Sequence, residues 1–181
     1  GLLDVGCRFC AAWAPGLGQV RSACWLSGSA RDVVHHLKYE GWTGVARAMA
    51  RAMKSLDPLV KGVTLVPIPL GAKRLRSRGY NQAERLARDL GAVRDLPVRT
   101  VLRRRRDTPS QTSLTPEQRA SNVAGAFVAP APLSGTFVLV DDVCTTGATL
   151  AKAAAALRLA GAARVDAVTF ARAPLPVELM V

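Results

Sequence analysis

No stretch of the chain reaches the ~18 uninterrupted apolar residues that a membrane-spanning helix requires, although 49% of its 181 residues are apolar. Cysteine is sparse. The four at positions 7, 10, 24 and 144 are too few and too unevenly spaced for a disulfide framework, and they suit a reducing compartment. There is no internal repeat and no Gly-x-Gly-x-x-Gly dinucleotide fingerprint. The opening Gly1-Leu2-Leu3-Asp4 has neither a Met nor the positive-then-apolar layout of a secretory signal. The expectation is a cytoplasmic globular protein with room for one full α/β domain and a short appendage.

Acidic residues are the scarcer charge, 13 against 25 Lys and Arg, which leaves a formal net charge of +12. The excess is uneven. Lys73, Arg74, Arg76 and Arg78 form one basic cluster, and Arg103, Arg104, Arg105 and Arg106 form a second. Clustered cations favour phosphates or nucleic acid as partners. An arginine-rich composition beside alanine runs such as 153–156 also has a plainer explanation, a solvated surface.

Residues 1–29 show no sustained period, so they are expected to be a short segment ahead of a domain spanning 30–181. Cys7-Arg8-Phe9-Cys10 has the spacing of a zinc knuckle, with Cys24 as a third candidate ligand. Ser27 stands where a fourth cysteine would complete the set, and structural zinc is normally four-coordinate. His35 or His36 would have to supply the missing ligand. A degenerate knuckle with free thiols is therefore expected over a zinc site.

Ser29 can cap a helix with apolar positions 33, 34 and 37, ended by Gly41, and Thr43 can cap a second running to Leu56. Residues 62–66 read as a buried strand before Pro67-Ile68-Pro69. A basic loop follows, then a helix from Asn81 with a stop at Gly91, and a strand over 98–102. Residues 108–116 are turn-rich, and Thr115-Pro116 opens a short helix. The last third is clearest: a strand over 136–141, a helix over 147–160 stopped by Gly161, and a strand over 164–171. That order is a βαβ unit, hence a parallel sheet covered by helices.

The chemistry is concentrated in residues 137–149, Phe-Val-Leu-Val-Asp-Asp-Val-Cys-Thr-Thr-Gly-Ala-Thr. An apolar strand delivers Asp141 and Asp142 to the carboxyl edge of the sheet, where open α/β folds bind ligands. The turn Thr145, Thr146, Gly147, Ala148, Thr149 then enters a helix, and its backbone N–H groups suit a phosphate. The acids, set one turn earlier, can accept from vicinal sugar hydroxyls or help hold magnesium. Ordinary caps and a strand-end pair would explain each residue singly, but not their joint order. No Gly-Lys-Ser/Thr follows, so the turn is not a Walker loop. A ribose 5-phosphate satisfies both grips.

This segment resembles the signature of the type I phosphoribosyltransferases. The resemblance implies a type I phosphoribosyltransferase-like (Rossmann-like) parallel sheet flanked by helices, with a variable hood, binding phosphoribosyl pyrophosphate (PRPP) with Mg2+. Carried over, Asp141 and Asp142 contact the ribose hydroxyls and residues 145–149 wrap the 5-phosphate. The pyrophosphate loops correspond to residues 70–79 and 103–119. Candidate pyrophosphate ligands are Lys38, Lys73, Arg74, Arg78, Arg106 and Arg119.

His36-Leu37-Lys38-Tyr39, Pro67-Ile68-Pro69-Leu70, Arg78-Gly79-Tyr80-Asn81-Gln82, Gln111, Asn122 and Gly125-Ala126-Phe127 look like the ComF family. That family is associated with natural competence and DNA uptake and has an N-terminal four-cysteine zinc module, from which this sequence departs at Ser27. The resemblance implies PRPP as ligand, with single-stranded DNA and competence proteins as candidate partners.

Several residues stay open at this point. Arg78, Asn81 and Gln82 sit where a loop enters a helix, so polar capping explains them nearly as well as ligand binding, which is favoured for Arg78 only. Lys38 is either a pyrophosphate ligand or a solvated helix end. Spacing alone gives Cys144 no nucleophilic role. A transferase with an unidentified acceptor, a single-strand-handling protein and a PRPP-sensing regulator all remain, and no catalytic residue is assigned.

Overall fold

A computed structural model describes residues 16–39, 43–105, 126–129 and 132–174. The elements in order are β1 (Val20–Trp25), α1 (Ser29–Tyr39), α2 (Thr43–Met53), β2 (Val63–Pro67), α3 (Ala72–Arg78), α4 (Gln82–Arg94), β3 (Arg103–Arg104), β4 (Phe127–Val128), β5 (Thr136–Cys144), α5 (Ala148–Leu159) and β6 (Arg164–Arg172). β1, β6, β5 and β2 form a four-stranded sheet in that order. All its pairs are parallel. The type I phosphoribosyltransferase-like expectation of a parallel sheet flanked by helices holds.

Side-chain alternation along β5 builds two cores. Val138 and Val140 join the layer of α1, α2 and α4, where Leu37, Met49, Met53, Leu86 and Leu90 are buried. Phe137 and Leu139 face the opposite layer, where α5 contributes Leu150, Ala153, Ala154 and Leu157. Alanine on α5 lets that helix lie close to the sheet, as its run of buried alanines requires. The result is a three-layer α/β arrangement in which every strand of the sheet points its carboxyl end to the same edge.

The structure departs from the sequence reading in several places, and α2 ends at Met53, short of the expected Leu56. Regular structure begins before Ser29, because Val20–Trp25 pairs with β6 as an edge strand, Val20 opposite Ala167 and Trp25 opposite Arg172. The stretch 98–102 is not a strand; Val98 makes one isolated parallel bridge to Leu65, and pairing resumes only in the short antiparallel β3–β4 ribbon. The supposed basic loop after Pro69 contains α3, a helix with no buried residue. Gly91 does not stop α4, which runs on to Arg94 and ends on Asp95 in the left-handed conformation at φ 54°.

Gly91 has a different purpose. A Cβ there would lie 2.7 Å from Val98 Cγ2 and 2.8 Å from the Leu96 carbonyl. The glycine therefore permits the chain to turn back across the helix toward β2. β5 also extends three residues past Asp141, its pairing carried by the equally long β6. Asp141 and Asp142 are thus held inside a paired strand. Among the described residues, no helix is long and apolar enough to cross a membrane.

Candidate functional site

Segments gathered at the carboxyl edge of the sheet enclose a cavity of about 420 Å³. The segment after β2 supplies Ile68, Pro69 and Leu70; the end of β5 and its turn supply Asp141, Asp142, Thr145 and Thr149. α1 lends Lys38 and Tyr39, and the cations Arg74 and Arg78 of α3 face in beside Arg104. Carboxylates, hydroxyls and five cations, Arg31 of α1 among them, therefore open onto one space.

Asp142 is buried and closely held. Lys38 Nζ lies 2.8 Å from its Oδ2, and Gln82 Nε2 donates to its Oδ1 at 3.2 Å. Burial alone would raise its pKa, but the Lys38 charge and the hydrogen bonds from Asp141, Lys38 and Gln82 outweigh that and hold it below the usual carboxylate range. Asp141 is in the opposite condition. Burial, then the Asp142 charge, push its carboxyl well above that range. Its Oδ1 accepts from the Asp142 backbone N–H at 2.9 Å, which partly offsets the shift. The pair is thus asymmetric, the Asp142 carboxyl held below the usual range by its partners and the Asp141 carboxyl pushed above it by burial.

The contacts extend outward from Asp142. Gln82 accepts from Arg78 Nη1 at 2.9 Å, and the Arg78 guanidinium sits 5.0 Å from the Tyr39 ring centroid, a cation–π contact. Tyr80 donates its hydroxyl to the Leu37 carbonyl, tying the start of α4 to the end of α1. Asn81 caps α4, its Oδ1 accepting from Ala83 N at 3.1 Å, and its amide donates to the Ile68 carbonyl at 3.0 Å. Capping thus explains Asn81. Gln82, favoured as a cap by the sequence, is instead a buried support of the acid pair.

The turn after β5 meets the helix as an anion cradle should. Gly147 is buried at φ 78°, and α5 begins at the next residue with no side-chain cap. Thr146 Oγ1 accepts from Ala148 N at 3.4 Å, while Thr145, Thr146 and Thr149 are exposed. The helix dipole and first-turn amides favour an anion there. Cys144, just before the turn, is buried, and burial raises its thiol pKa against the opposing Arg172 charge. It is a packed thiol.

Asp141, Asp142, Thr145, Thr149, Lys38, Arg74 and Arg78 line one cavity, whereas Thr146, Gly147 and Ala148 of the same turn are not among its lining residues. Lys73 does not share it and lies on the adjoining outer depression with Ser77. Lys38 is not a solvated helix end, since its side chain is only 23% exposed. Sequence reasoning missed Arg31 and Arg104 and favoured a cap for Gln82; Arg104 was visible only as one of four consecutive arginines. Arg106, Arg119, Cys7 and Cys10 lie outside the described residues, as do Gly41, Gln111, Asn122 and the 108–116 stretch. Cys24 sits on β1, donates to the Phe170 carbonyl at 3.4 Å and packs against the core. Among the described residues, no cluster of His, Cys, Asp and Glu is arranged to hold a metal.

A parallel sheet with an acid pair and a helix-capping turn at its carboxyl edge defines a phosphoribosyltransferase-like domain, and the family described as Phosphoribosyl transferase domain matches residues 61–178. The DNA utilization protein YhgH of Salmonella typhi is 34% identical over 146 residues, covering 74% of this chain and 63% of the relative. Competence protein F of Haemophilus influenzae is 30% identical over 154 residues, covering 78% and 67%. Competence protein ComFC of Streptococcus pneumoniae is 25% identical over 172 residues, covering 94% and 76%. The chain belongs to the ComF family of phosphoribosyltransferase-like proteins. It spans 63% of the length of the Salmonella relative.

Proposed function

We propose that this protein binds PRPP together with magnesium in the carboxyl-edge cavity and serves competence or another DNA-utilization process. The observation that carries the ligand is the convergence of Asp141, Asp142, Thr145 and Thr149 with Lys38, Arg74, Arg78 and Arg104 on one cavity. In this reading the 145–149 turn holds the 5-phosphate and the acid pair meets the ribose hydroxyls. Lys38, Arg74, Arg78 and Arg104 face the pyrophosphate, a compact polyanion that needs several cations at once.

The residues fit magnesium. It takes hard oxygen ligands and is usually bound through one or two carboxylates together with substrate phosphates. Asp142 is committed to Lys38 and Gln82, so Asp141 is the carboxylate that would hold the ion. When bound, the ion would neutralise part of the pyrophosphate charge. The DNA-linked role rests on the names of the relatives, which are DNA utilization and competence proteins.

Two versions of the site differ only in turnover. A transferase would displace pyrophosphate at the anomeric carbon by a nucleophile, aided by positioning and leaving-group charge; a sensor would bind and release. Pyrophosphate release across a panel of purine and pyrimidine bases separates them. We expect no common base to act as an efficient acceptor. Base-dependent release at ordinary enzymatic rates, above about 1 per second, would instead make the protein a transferase.

A further inference from the structure

We infer that Gln82 is a positioning residue for the pyrophosphate end of the cavity: its amide joins Asp142 to Arg78 and holds the Arg78 guanidinium in the cavity wall. The inference deepens the PRPP reading and rests on it. Gln82 opens α4 and is buried. Its Nε2 donates to Asp142 Oδ1 at 3.2 Å, and its Oε1 accepts from Arg78 Nη1 at 2.9 Å. A carboxylate only accepts and a guanidinium only donates, so the link needs a donor at one end and an acceptor at the other. A glutamine supplies both. A glutamate would set a second carboxylate against Asp142, and a methionine would leave both partners unserved. Capping does not call for this amide, because Asn81 already caps α4.

The effect falls on Arg78. Lys73, Arg74 and Arg76 of the same helix are exposed, whereas Arg78 is half-buried. Its guanidinium lies between the Gln82 amide and the Tyr39 ring, 5.0 Å from the ring centroid, with N–H donors left for a phosphate oxygen. Because the amide stands between the two charges, Asp142 keeps its ion pair with Lys38 and the Arg78 charge stays available to an anion. A long side chain that is already held loses less freedom when it takes up a ligand.

The test is calorimetric titration with inorganic pyrophosphate in the presence of magnesium, comparing wild type, Gln82→Met, Arg78→Ala and the double variant. Gln82→Met should weaken binding at least about fivefold, the scale of ordering one long side chain on binding. In the Arg78→Ala background the same change should cost nothing further, since a residue acting through another is not additive with it. Arg78→Lys keeps the charge without the planar fork and should lose about as much as Gln82→Met; it alters no buried residue, so it decides the matter even where Gln82→Met does not fold. Four results would overturn the inference: wild-type affinity in Gln82→Met, an undiminished loss in the Arg78→Ala background, wild-type affinity in Arg78→Lys, or a loss confined to ribose 5-phosphate, which would leave Gln82 serving Asp142 alone. Wild type that binds PRPP but not pyrophosphate would also overturn it and spare the PRPP reading. Wild type that binds neither would overturn both.

Discussion

Asp142 keeps its charge because Lys38 lies 2.8 Å away and Gln82 donates to its other oxygen, whereas Asp141 has burial and the Asp142 charge against it. The sign of the stability effect follows. A carboxyl whose folded pKa is raised contributes stability that is fully present below the unfolded value, about 4, and is lost as pH rises through the folded one. Asp141→Asn should therefore raise the melting temperature of the ligand-free protein at pH 7, and the gain should vanish in acid, where both side chains are neutral. Thermal melts across pH check this; a lower melting temperature at pH 7 would contradict the charge assignment. Both acids were legible because they are adjacent and follow an apolar strand. Their supports were not: Gln82 is 60 residues from Asp142, and its neighbour Asn81 offered a sufficient capping explanation for the whole segment.

At the scale of elements, legibility followed the strength of the apolar pattern. β5, α5 and β6 were readable because they pack against the core along most of their length. β1 was not, since an edge strand with mixed exposure carries no clean alternation, and α3 was not, since a helix with no buried residue has no apolar face to reveal it. Gly91 shows how a correct helix can carry a misread end: the residue looked like a stop and is a close approach. Gly91→Ala should destabilise the protein by about 1–3 kcal/mol through overpacking against Val98 and Leu96, despite a helix-propensity gain of roughly 1 kcal/mol. Urea unfolding measures this. A midpoint equal to or above wild type would mean that the approach of Val98 and Leu96 is readily relaxed.

Across the whole molecule, part of the basic excess gathers at the carboxyl edge of the sheet, which composition alone could not show. Lys38 on α1, Arg74 and Arg78 on α3 and Arg104 on β3 meet only because the fold brings their segments to one edge of the sheet. A second basic group, Arg47, Arg51, Lys54 and Arg85, was absent from the sequence reading because its cations are spaced along the chain instead of running together. The βαβ order and the 137–149 segment were enough to anticipate the sheet and the ligand class. The central claim is that the carboxyl-edge cavity is a PRPP site. Calorimetric titration of PRPP with and without magnesium, into wild type and into Asp141→Asn/Asp142→Asn, tests it most directly. The account predicts saturable one-to-one binding by wild type, strengthened by magnesium. In the variant that binding should be weakened at least about tenfold, or about 1.4 kcal/mol, while circular dichroism shows it still folded. No binding by wild type, or undiminished affinity in the variant, would contradict it.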